Sequence, residues 1–320
     1  MKTIFLLLLF TLFIPGSYCQ KTPDSLFTEA EVLLKTYSGN ISGTLTLSNK
    51  SKKSPVVIII AGSGPTDRDC NSPMGVKTDA YKKIAAGLSG KGISSLRFDK
   101  RGIGKSKSAM TSEKDLRFDT YVSDVEDWIT LLKKDRRFTK VFLCGHSEGS
   151  LIGMIAAGKI RTAGFISISG AGKPADMILK EQLEGKVPRQ FFNESVIILD
   201  SLKAGYEVIS VHPMLYSLFR PSVQPYMISW MKYDPATELS KLKIPVMIVQ
   251  GTTDLQVSVD DAKLLAASRP DARLLIVENM NHVLKESDSD PQSNMATYRD
   301  PDLPLKSGLI DEIVKFIKPK

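Results

Sequence analysis

A serine between two glycines is the first feature of this sequence that could do chemistry. The run Gly-His-Ser-Glu-Gly at 145–149 follows an apolar stretch from Val141 to Cys144 and opens a stretch of small residues. Glycines are needed where a strand turns sharply into a helix, and such a turn holds a serine hydroxyl out at the end of a sheet. The spacing therefore predicts Ser147 as a nucleophile that attacks acyl carbonyl groups.

A serine hydroxyl needs a base to take its proton, and the sequence has 3 histidines that could supply one. His146 lies inside the run at 145–149, and His212 precedes Pro213 in a region without strand pattern. His282 follows the last predicted strand, in a loop that can reach the serine. We therefore expect His282 to be the base, and a surface or core role for His212.

The histidine in turn needs a carboxylate that fixes its tautomer and offsets the imidazolium charge. Asp254 comes directly after an apolar run at 246–250. The order serine, aspartate, histidine along the chain is the order that accompanies a serine at this kind of strand-to-helix turn. Asp254 is therefore the predicted partner of His282, although a turn or helix N-cap role is its structural alternative. Asp260 and Asp261 are weaker candidates because they begin the next predicted helix.

Acyl transfer also needs backbone N–H groups aimed at the position where an oxyanion develops. One predicted donor is the N–H of Glu148, next to the nucleophile. The second should come from the turn Gly-Ser-Gly-Pro at 62–65, which follows an apolar run at 55–61. The flanking glycines favour the N–H of Ser63, because they let a substrate approach its backbone.

Two further residues near this turn are expected to contact the substrate. Gly62 precedes the predicted donor, and Arg68 lies in the charged run Asp-Arg-Asp at 67–69. We expect this run to form a charged wall beside the site. Glu148 is expected either to face the pocket or to pair with Arg68. A surface ion pair is the alternative interpretation of Arg68.

Apolar periodicity predicts the elements that position these residues. Continuous β-branched runs indicate strands buried on both faces, and apolar residues at helical spacing indicate amphipathic helices. The predicted strands are 32–37, 41–47, 55–61, 93–98, 141–144, 165–168, 246–249 and 274–277, and the predicted helices are 80–88, 119–134, 147–158 and 305–317. The first two strands flank a short turn and predict an antiparallel hairpin. The alternation beyond them predicts an α/β fold, with a mostly parallel central sheet and helices on both faces.

The alternation is interrupted between Gly170 and Ser240, where the pattern is mainly helical and rich in large apolar residues. An insertion of about 171–240 after the sixth strand is a natural cap over the site. The alternative is that these apolar residues form only the insertion's own core. Near the end of the chain, the polar segment 285–302 is expected to be a mobile loop.

The first residues have the pattern of a secretory signal peptide. Lys2 precedes an apolar run from Ile4 to Ile14, which is too short to span a bilayer, and small residues follow. We expect residues 1–19 to be removed and the mature chain, 20–320, to be periplasmic or extracellular. Lipid attachment at Cys19 is the less favoured alternative because a bulky Tyr18 precedes it.

Charge and composition exclude several classes of protein. The net charge is +8, but the basic residues are scattered and no aromatic residues interleave with them, which disfavours nucleic-acid binding. Histidine and cysteine lack metal-ligand spacing, so neither a metal nor another cofactor is expected. After export Cys70 and Cys144 could form a disulfide, or Cys144 could be a buried free thiol in its strand.

Two further motifs strengthen a resemblance to the α/β-hydrolase superfamily, which covers nearly all of the mature chain. The run Asp-Lys-Arg-Gly-Ile-Gly-Lys-Ser at 99–106 resembles the family's Asp-x-Arg-Gly-x-Gly-x-Ser turn after the fourth strand. The run Gly-Ser-Gly-Pro-Thr-Asp-Arg-Asp at 62–69 resembles the oxyanion loop of a subgroup of secreted bacterial esterases and S33-type serine aminopeptidases. The chain departs from many members at Ala61, where they have histidine.

The resemblance implies an α/β-hydrolase fold over 20–320, with the insertion at the place where the family carries its cap. It assigns Ser147, Asp254 and His282 to a catalytic triad. It also assigns the backbone N–H groups of Ser63 and Glu148 to an oxyanion hole.

Together these observations predict a serine hydrolase that cleaves small-molecule carboxylic esters with small to medium acyl groups. A serine aminopeptidase is the alternative, and it would need a carboxylate in the insertion to hold the substrate's α-amino group. The candidate carboxylates are Glu181, Glu184, Glu194, Asp200 and Glu207. A non-catalytic binding protein on a hydrolase fold is disfavoured because all three triad residue types are present in order.

Overall fold

The computed structural model of the protein describes residues 27–319. Its strands are β1 (Phe27–Thr36), β2 (Gly39–Ser48), β3 (Ser54–Ile60), β4 (Asn71–Ser72), β5 (Val76–Lys77), β6 (Ser94–Phe98), β7 (Phe138–His146), β8 (Gly164–Ile168), β9 (Val246–Gly251) and β10 (Arg273–Val277). An 8-stranded sheet has the order β1-β2-β6-β3-β7-β8-β9-β10, and β4 and β5 form a separate small hairpin.

The main sheet is parallel from β6 to β10. Only β1 and β2 run antiparallel, joined as the predicted hairpin, and β2 pairs antiparallel with β6. The predicted α/β class with a mostly parallel sheet is therefore confirmed. The carboxyl ends of the parallel strands meet at one edge, where ligands bind in sheets of this kind.

Helices cover both faces of the sheet. They are α1 (Ala80–Ser89), α2 (Phe118–Lys134), α3 (Glu148–Lys159), α4 (Ala175–Leu183), α5 (Arg189–Lys203), α6 (Tyr216–Phe219), α7 (Gln224–Trp230), α8 (Pro235–Ser240), α9 (Val259–Ser268), α10 (Pro291–Ala296) and α11 (Leu309–Ile317). Helices α2, α3, α8 and α9 contribute to the core on one face, and α1 and α11 to the core on the other.

The β3 strand shows why the sheet needs both layers. Its residues Val56, Ile58 and Ile60 belong to the first core, whereas Val57 and Ile59 belong to the second. Successive side chains of a strand point to opposite faces, so an unbroken apolar run stabilises the fold only if both faces are covered.

Helices α4 to α8 occupy the segment between β8, the sixth strand of the main sheet, and β9. Residues of α5 and α7, including Leu199, Leu202 and Met227, form a separate apolar cluster with Phe219. These side chains make the segment's own core, as the alternative interpretation had it. Other residues of the same segment line the cavity described below.

One expectation from the sequence needs correction, one pair of open alternatives is decided, and one expectation lies outside the described residues. Segment 285–302 is not a simple polar loop, because it contains α10 and buries Lys285 and Asn294. Cys70 and Cys144 are buried free thiols, so they do not form a disulfide. Burial raises the pKa of Cys70 to about 11 and that of Cys144 to about 12, so both are protonated at neutral pH. The predicted signal peptide, 1–19, lies outside the described residues.

The described residues, 27–319, include no helix long and apolar enough to cross a membrane.

Candidate active site

Ser147 lies at the sharp turn between β7 and α3. Its backbone has φ 55° and ψ −124°, a conformation that is strained for a residue with a side chain. A Cβ atom on Gly145 would overlap the Gly149 carbonyl, and one on Gly149 would overlap the Ile60 carbonyl. The two glycines are therefore required for close packing, and the turn leaves Ser147 partly exposed among buried neighbours.

Asp254 and His282 lie together beyond the carboxyl ends of β9 and β10. The Nδ1 atom of His282 is 2.8 Å from Oδ2 of Asp254 and 3.1 Å from Oδ1. The Asp254 side chain is 0% exposed and that of His282 is 6% exposed. Since a carboxylate accepts and Nδ1 donates, this pairing leaves Nε2 of the neutral imidazole as the proton acceptor.

The Asp254 carboxylate is held by more than the histidine. Its Oδ1 accepts hydrogen bonds from the backbone N–H groups of Gln256, at 2.8 Å, and Val257, at 3.0 Å. Burial raises the pKa of Asp254, but the charge of His282 and these hydrogen bonds outweigh burial and lower that pKa to about 2. The group is therefore an anion throughout the neutral range.

The weaker candidates for base and acid have structural roles. His212 is exposed and accepts a hydrogen bond from the N–H of Met214 at the start of a turn. Asp261 forms a capping box with Ser258 at the start of α9, and Asp260 pairs with Lys263 on the surface.

His146 connects the serine turn to the His282 loop. Its Nε2 lies 2.8 Å from the backbone oxygen of His282, so this nitrogen carries the hydrogen, and its Nδ1 accepts from the Tyr81 hydroxyl at 2.8 Å. Burial lowers the pKa of His146 to about 3, which keeps the ring neutral. The two histidine rings pack with centroids 4.7 Å apart. His146 therefore holds His282 next to the turn that carries Ser147.

Within the described part of the chain, no hydrogen bond joins Ser147 Oγ to His282 Nε2. Hydrogen bonds between nucleophile and base are often long until substrate binds. The contact between His146 and His282 places the base beside the serine turn.

Ser63 and Glu148, the predicted oxyanion donors, line the same cavity as Ser147. Gly62 packs closely against Ser147, because a Cβ atom on Gly62 would come within 3.1 Å of the Ser147 Cβ. The N–H of Gly62 donates to the Tyr81 hydroxyl and its carbonyl accepts from Lys100. The polar backbone atoms of Gly62 are thus already bonded within the protein.

Arg68 is not one of the described residues that line the cavity. It is buried and pairs with Asp99 at 2.7 Å, and it also donates to Thr44. Of the two alternatives for Glu148, pairing with Arg68 is wrong, because Glu148 lines the cavity and its carboxylate pairs with Lys100. The charged wall at 67–69 is also absent, since Asp69 is turned toward Arg97.

The cavity beside Ser147 has a volume of about 620 Å³ and a mainly apolar lining. The lining comes from the sheet-and-helix body and from the segment between β8 and β9, which contributes Ile178, Leu179, Met227 and Trp230 among others. The segment is therefore placed where a cap would be. A site of this kind can bury an uncharged substrate group.

Two carboxylates line the cavity among the described residues, and both are already paired. Glu113 accepts from Arg220 and Ser222, and Glu148 accepts from Lys100 and Tyr226. The five carboxylates considered for an aminopeptidase are not part of the lining, namely Glu181, Glu184, Glu194, Asp200 and Glu207.

The sequence reasoning missed Lys100 and Tyr226, which contact the predicted oxyanion residue. Lys100 had a usable signal, because it follows β6 by two positions at the carboxyl edge of the sheet, where functional residues gather. Tyr226 had none, since its helix is one of several in the insertion and nothing in the sequence says which one faces Ser147.

Comparisons with known proteins agree with the fold. The family profile described as serine aminopeptidase, S33, matches residues 74–288. Esterase EstD of Thermotoga maritima is 26% identical over 305 residues, which cover 92% of this chain and 68% of that protein.

Two solved structures are similar to this chain at lower identity. Est1E from Butyrivibrio proteoclasticus, with ferulic acid bound, has a TM-score of 0.58 and 18% identity, covering 84% of this chain and 96% of that one. The Pyrococcus furiosus esterase Pf2001 has a TM-score of 0.54 and 17% identity, covering 91% and 90%. At these identities the two structures support the α/β-hydrolase fold.

Proposed function

The chain belongs to the serine aminopeptidase S33 family of α/β hydrolases, and from this premise we propose that it is a serine hydrolase that cleaves carboxylic esters. The observation that carries the proposal is the buried Asp254–His282 pair next to the serine turn, whose Ser147 lines an apolar cavity. These residues are the parts that acyl transfer to water requires.

The proposed reaction proceeds through an acyl-enzyme. His282 Nε2 takes the proton of Ser147 Oγ, and the oxygen attacks the ester carbonyl carbon. The N–H groups of Ser63 and Glu148 stabilise the oxyanion of the tetrahedral intermediate. The intermediate collapses when the C–O bond to the leaving alcohol breaks and His282 returns the proton to that oxygen. Water then repeats the same steps on the acyl-enzyme and frees the acid and Ser147.

The cavity lining favours ester substrates over peptides. An aminopeptidase must hold a substrate ammonium, whereas Glu113 and Glu148 are both occupied by cations of the protein. The 26% identical relative is named an esterase, as is the Pyrococcus furiosus structural neighbour. Ester hydrolysis is therefore the better proposal, although the family's name refers to aminopeptidases.

The shape of the cavity leads to an expected preference for acyl chain length. With p-nitrophenyl esters from acetate to decanoate, kcat/KM should rise by up to roughly fourfold per added methylene, because each buried CH₂ contributes about 0.8 kcal/mol. The rise should stop when the chain fills the space under α4 and α7. Initial rates of p-nitrophenolate release measure this.

Leucine p-nitroanilide provides the control substrate for the peptidase alternative. It offers a chain of similar size with a free ammonium, and we expect no release above background. Faster turnover of the anilide than of the best ester would contradict the proposed function and favour the aminopeptidase.

We also propose that the chain is exported, on the pattern of residues 1–19 alone. Expression with this segment in a bacterial host should give a protein outside the cytoplasm. Its intact mass should correspond to a chain that starts at Gln20. Replacing part of the apolar run 4–14 with charged residues should keep the full-length chain in the cytoplasm. A wild-type protein of full-length mass in the cytoplasmic fraction would contradict export.

A further inference from the structure

Lys100 lies buried between the two halves of the proposed oxyanion hole. Its side chain is 2% exposed, and its Nζ donates to the Gly62 carbonyl at 2.5 Å and to Oε2 of Glu148 at 3.1 Å. Burying an ammonium costs free energy unless its surroundings supply charge and hydrogen bonds. Packing alone therefore does not explain why a lysine ammonium is buried at this position.

The bond to Gly62 sets the direction of the Ser63 N–H. The Gly62 carbonyl and the Ser63 N–H belong to one trans peptide unit, so they lie in one plane and point in nearly opposite directions within it. An ammonium bonded to the oxygen fixes the direction of the C=O bond and so aims the N–H the opposite way. It also draws electron density toward the oxygen, which makes the N–H a stronger donor.

No second hydrogen bond in the described residues holds this peptide unit. The N–H of Gly62 donates to the Tyr81 hydroxyl, but that atom belongs to the preceding peptide unit. On the other side, Ser63 and Gly64 are exposed, and Gly64 has φ +69° with open space around it. Lys100 is thus the side chain that restrains the Ser63 N–H in the exposed turn after β3.

The same ammonium also holds the second half of the site. Its partner Glu148 is the first residue of α3, and the Glu148 Oε1 atom accepts from the Tyr226 hydroxyl of α7 at 2.6 Å. The ring of Tyr121 lies 5.0 Å from Nζ. The Lys100 ammonium therefore connects the turn after β3 to Glu148. The Tyr226 hydroxyl connects Glu148 in turn to the segment between β8 and β9.

We infer that Lys100 is a positioning residue that orients the Ser63 N–H toward the oxyanion and fixes it relative to Glu148. The inference rests on the proposed function, because it assigns a role within that hydrolase site. Lys100 lines the cavity, but its Nζ donates to the Gly62 carbonyl and to Glu148, so its proposed role is to act through the Ser63 peptide.

The test compares Lys100→Met/Glu148→Gln with Glu148→Gln. Lys100→Met alone would leave the Glu148 carboxylate buried without its cation and could unfold the protein. The double variant leaves neither charge of this pair buried. Glu148→Gln alone keeps the bond from Lys100 to the Gly62 carbonyl but leaves the buried ammonium without its anion, so urea unfolding curves of both variants and the kcat of the wild type are measured alongside. Both retain the backbone N–H of residue 148, so their difference isolates the restraint on the Ser63 peptide.

The double variant should have a kcat for a p-nitrophenyl ester about 10- to 100-fold below that of Glu148→Gln, with KM within about threefold. The loss is expected to be smaller than the roughly 10²- to 10³-fold that removal of a donor itself causes. Inhibition by a trifluoromethyl ketone, which binds as a tetrahedral oxyanion, should weaken by the same factor as kcat. Lys105→Met makes the same change at an exposed lysine whose ammonium pairs with Glu31 on the surface, so it is the matched control and should retain a kcat within about threefold of wild type.

Three outcomes would overturn the inference. Equal kcat in the double variant and in Glu148→Gln would do so, as would a loss confined to KM or an unchanged ketone affinity. Each of these leaves ester hydrolysis by the wild type intact, so only the role of Lys100 fails. A wild type that hydrolyses no ester would instead overturn the proposed function, and the role of Lys100 with it.

Discussion

Replacing Ser147 with alanine should lower kcat/KM for ester hydrolysis by about 10⁴- to 10⁶-fold, the range expected when a triad nucleophile is removed. The fold should be unaffected. Among the described residues Ser147 Oγ has no hydrogen-bond partner, so its removal leaves no buried group unsatisfied. Rates on the best p-nitrophenyl ester, together with an unfolding curve in urea, measure both parts of this expectation.

A surface serine provides the matched control for this variant. Ser201 lies on the exposed side of α5, where its hydroxyl bonds only to the Ile197 carbonyl one turn earlier. Ser201→Ala should keep wild-type kcat/KM within about twofold, as surface changes usually do. If Ser147→Ala retained more than about a hundredth of the activity, the nucleophile would have to be another group.

The parts of the fold that could be predicted from sequence are those governed by local pattern. The run from Val56 to Ile60 is apolar at every position, which only a strand covered on both faces tolerates, and the structure buries it that way. The serine turn was equally readable, because its glycines are required by close packing at fixed spacing. Only the helix start differed, at Glu148 rather than Ser147, since the strained φ of Ser147 is not helical.

The ion pairs could not be predicted, because their partners are far apart in sequence. Glu148 was expected to pair with Arg68, but Arg68 is bound to Asp99, 31 positions away. The actual partner, Lys100, is 48 positions from Glu148. Which cation reaches a buried carboxylate depends on how β6 and β7 are placed in the sheet, and charge pattern along the chain contains no such information.

Segment 285–302 shows how polarity alone can mislead. Its polar residues suggested exposure to water, yet Asn294 is buried and donates to the backbone oxygens of Thr253 and Asp288. Asn281, four positions before the segment, donates to the side-chain hydroxyl of Thr297. Polar side chains that satisfy one another can be buried at little cost, so a polar run does not exclude a packed segment. The segment thereby holds the backbone at Thr253, directly before Asp254.

The second large effect is expected for Asp254→Asn, which should lower kcat by about 10⁴-fold. The amide has nearly the shape of the carboxylate, so the bonds from Gln256 and Val257 can be kept by its oxygen. It cannot offset the charge of His282 in the transition state, however. Its N–H₂ can also donate to Nδ1, which would place the histidine hydrogen on Nε2 and remove the base.

The pH dependence of stability tests the same carboxylate independently of activity. The pKa of Asp254 is lowered to about 2 from an ordinary 3.8, because its interactions with His282 and with backbone N–H groups outweigh the opposing effect of burial. A lowered pKa means that this stabilisation is complete above pH 4 and is lost as the pH falls through 2. The loss amounts to about 2 kcal/mol of unfolding free energy for this group. Asp254→Asn has no carboxylate to protonate, so its stability should fall less steeply over the same interval.

Asp260→Asn is the control that separates the loss of the Asp254 carboxylate from the loss of a nearby acidic residue. Asp260 is exposed on α9 and pairs only with Lys263, so its variant should retain kcat within about twofold and should show the acid profile of the wild type. Loss of kcat in Asp254→Asn without a change in the acid profile would mean that the pair with His282 does not stabilise the fold. Wild-type kcat in Asp254→Asn would contradict the triad itself, because no other carboxylate in the described chain bonds to His282 Nδ1.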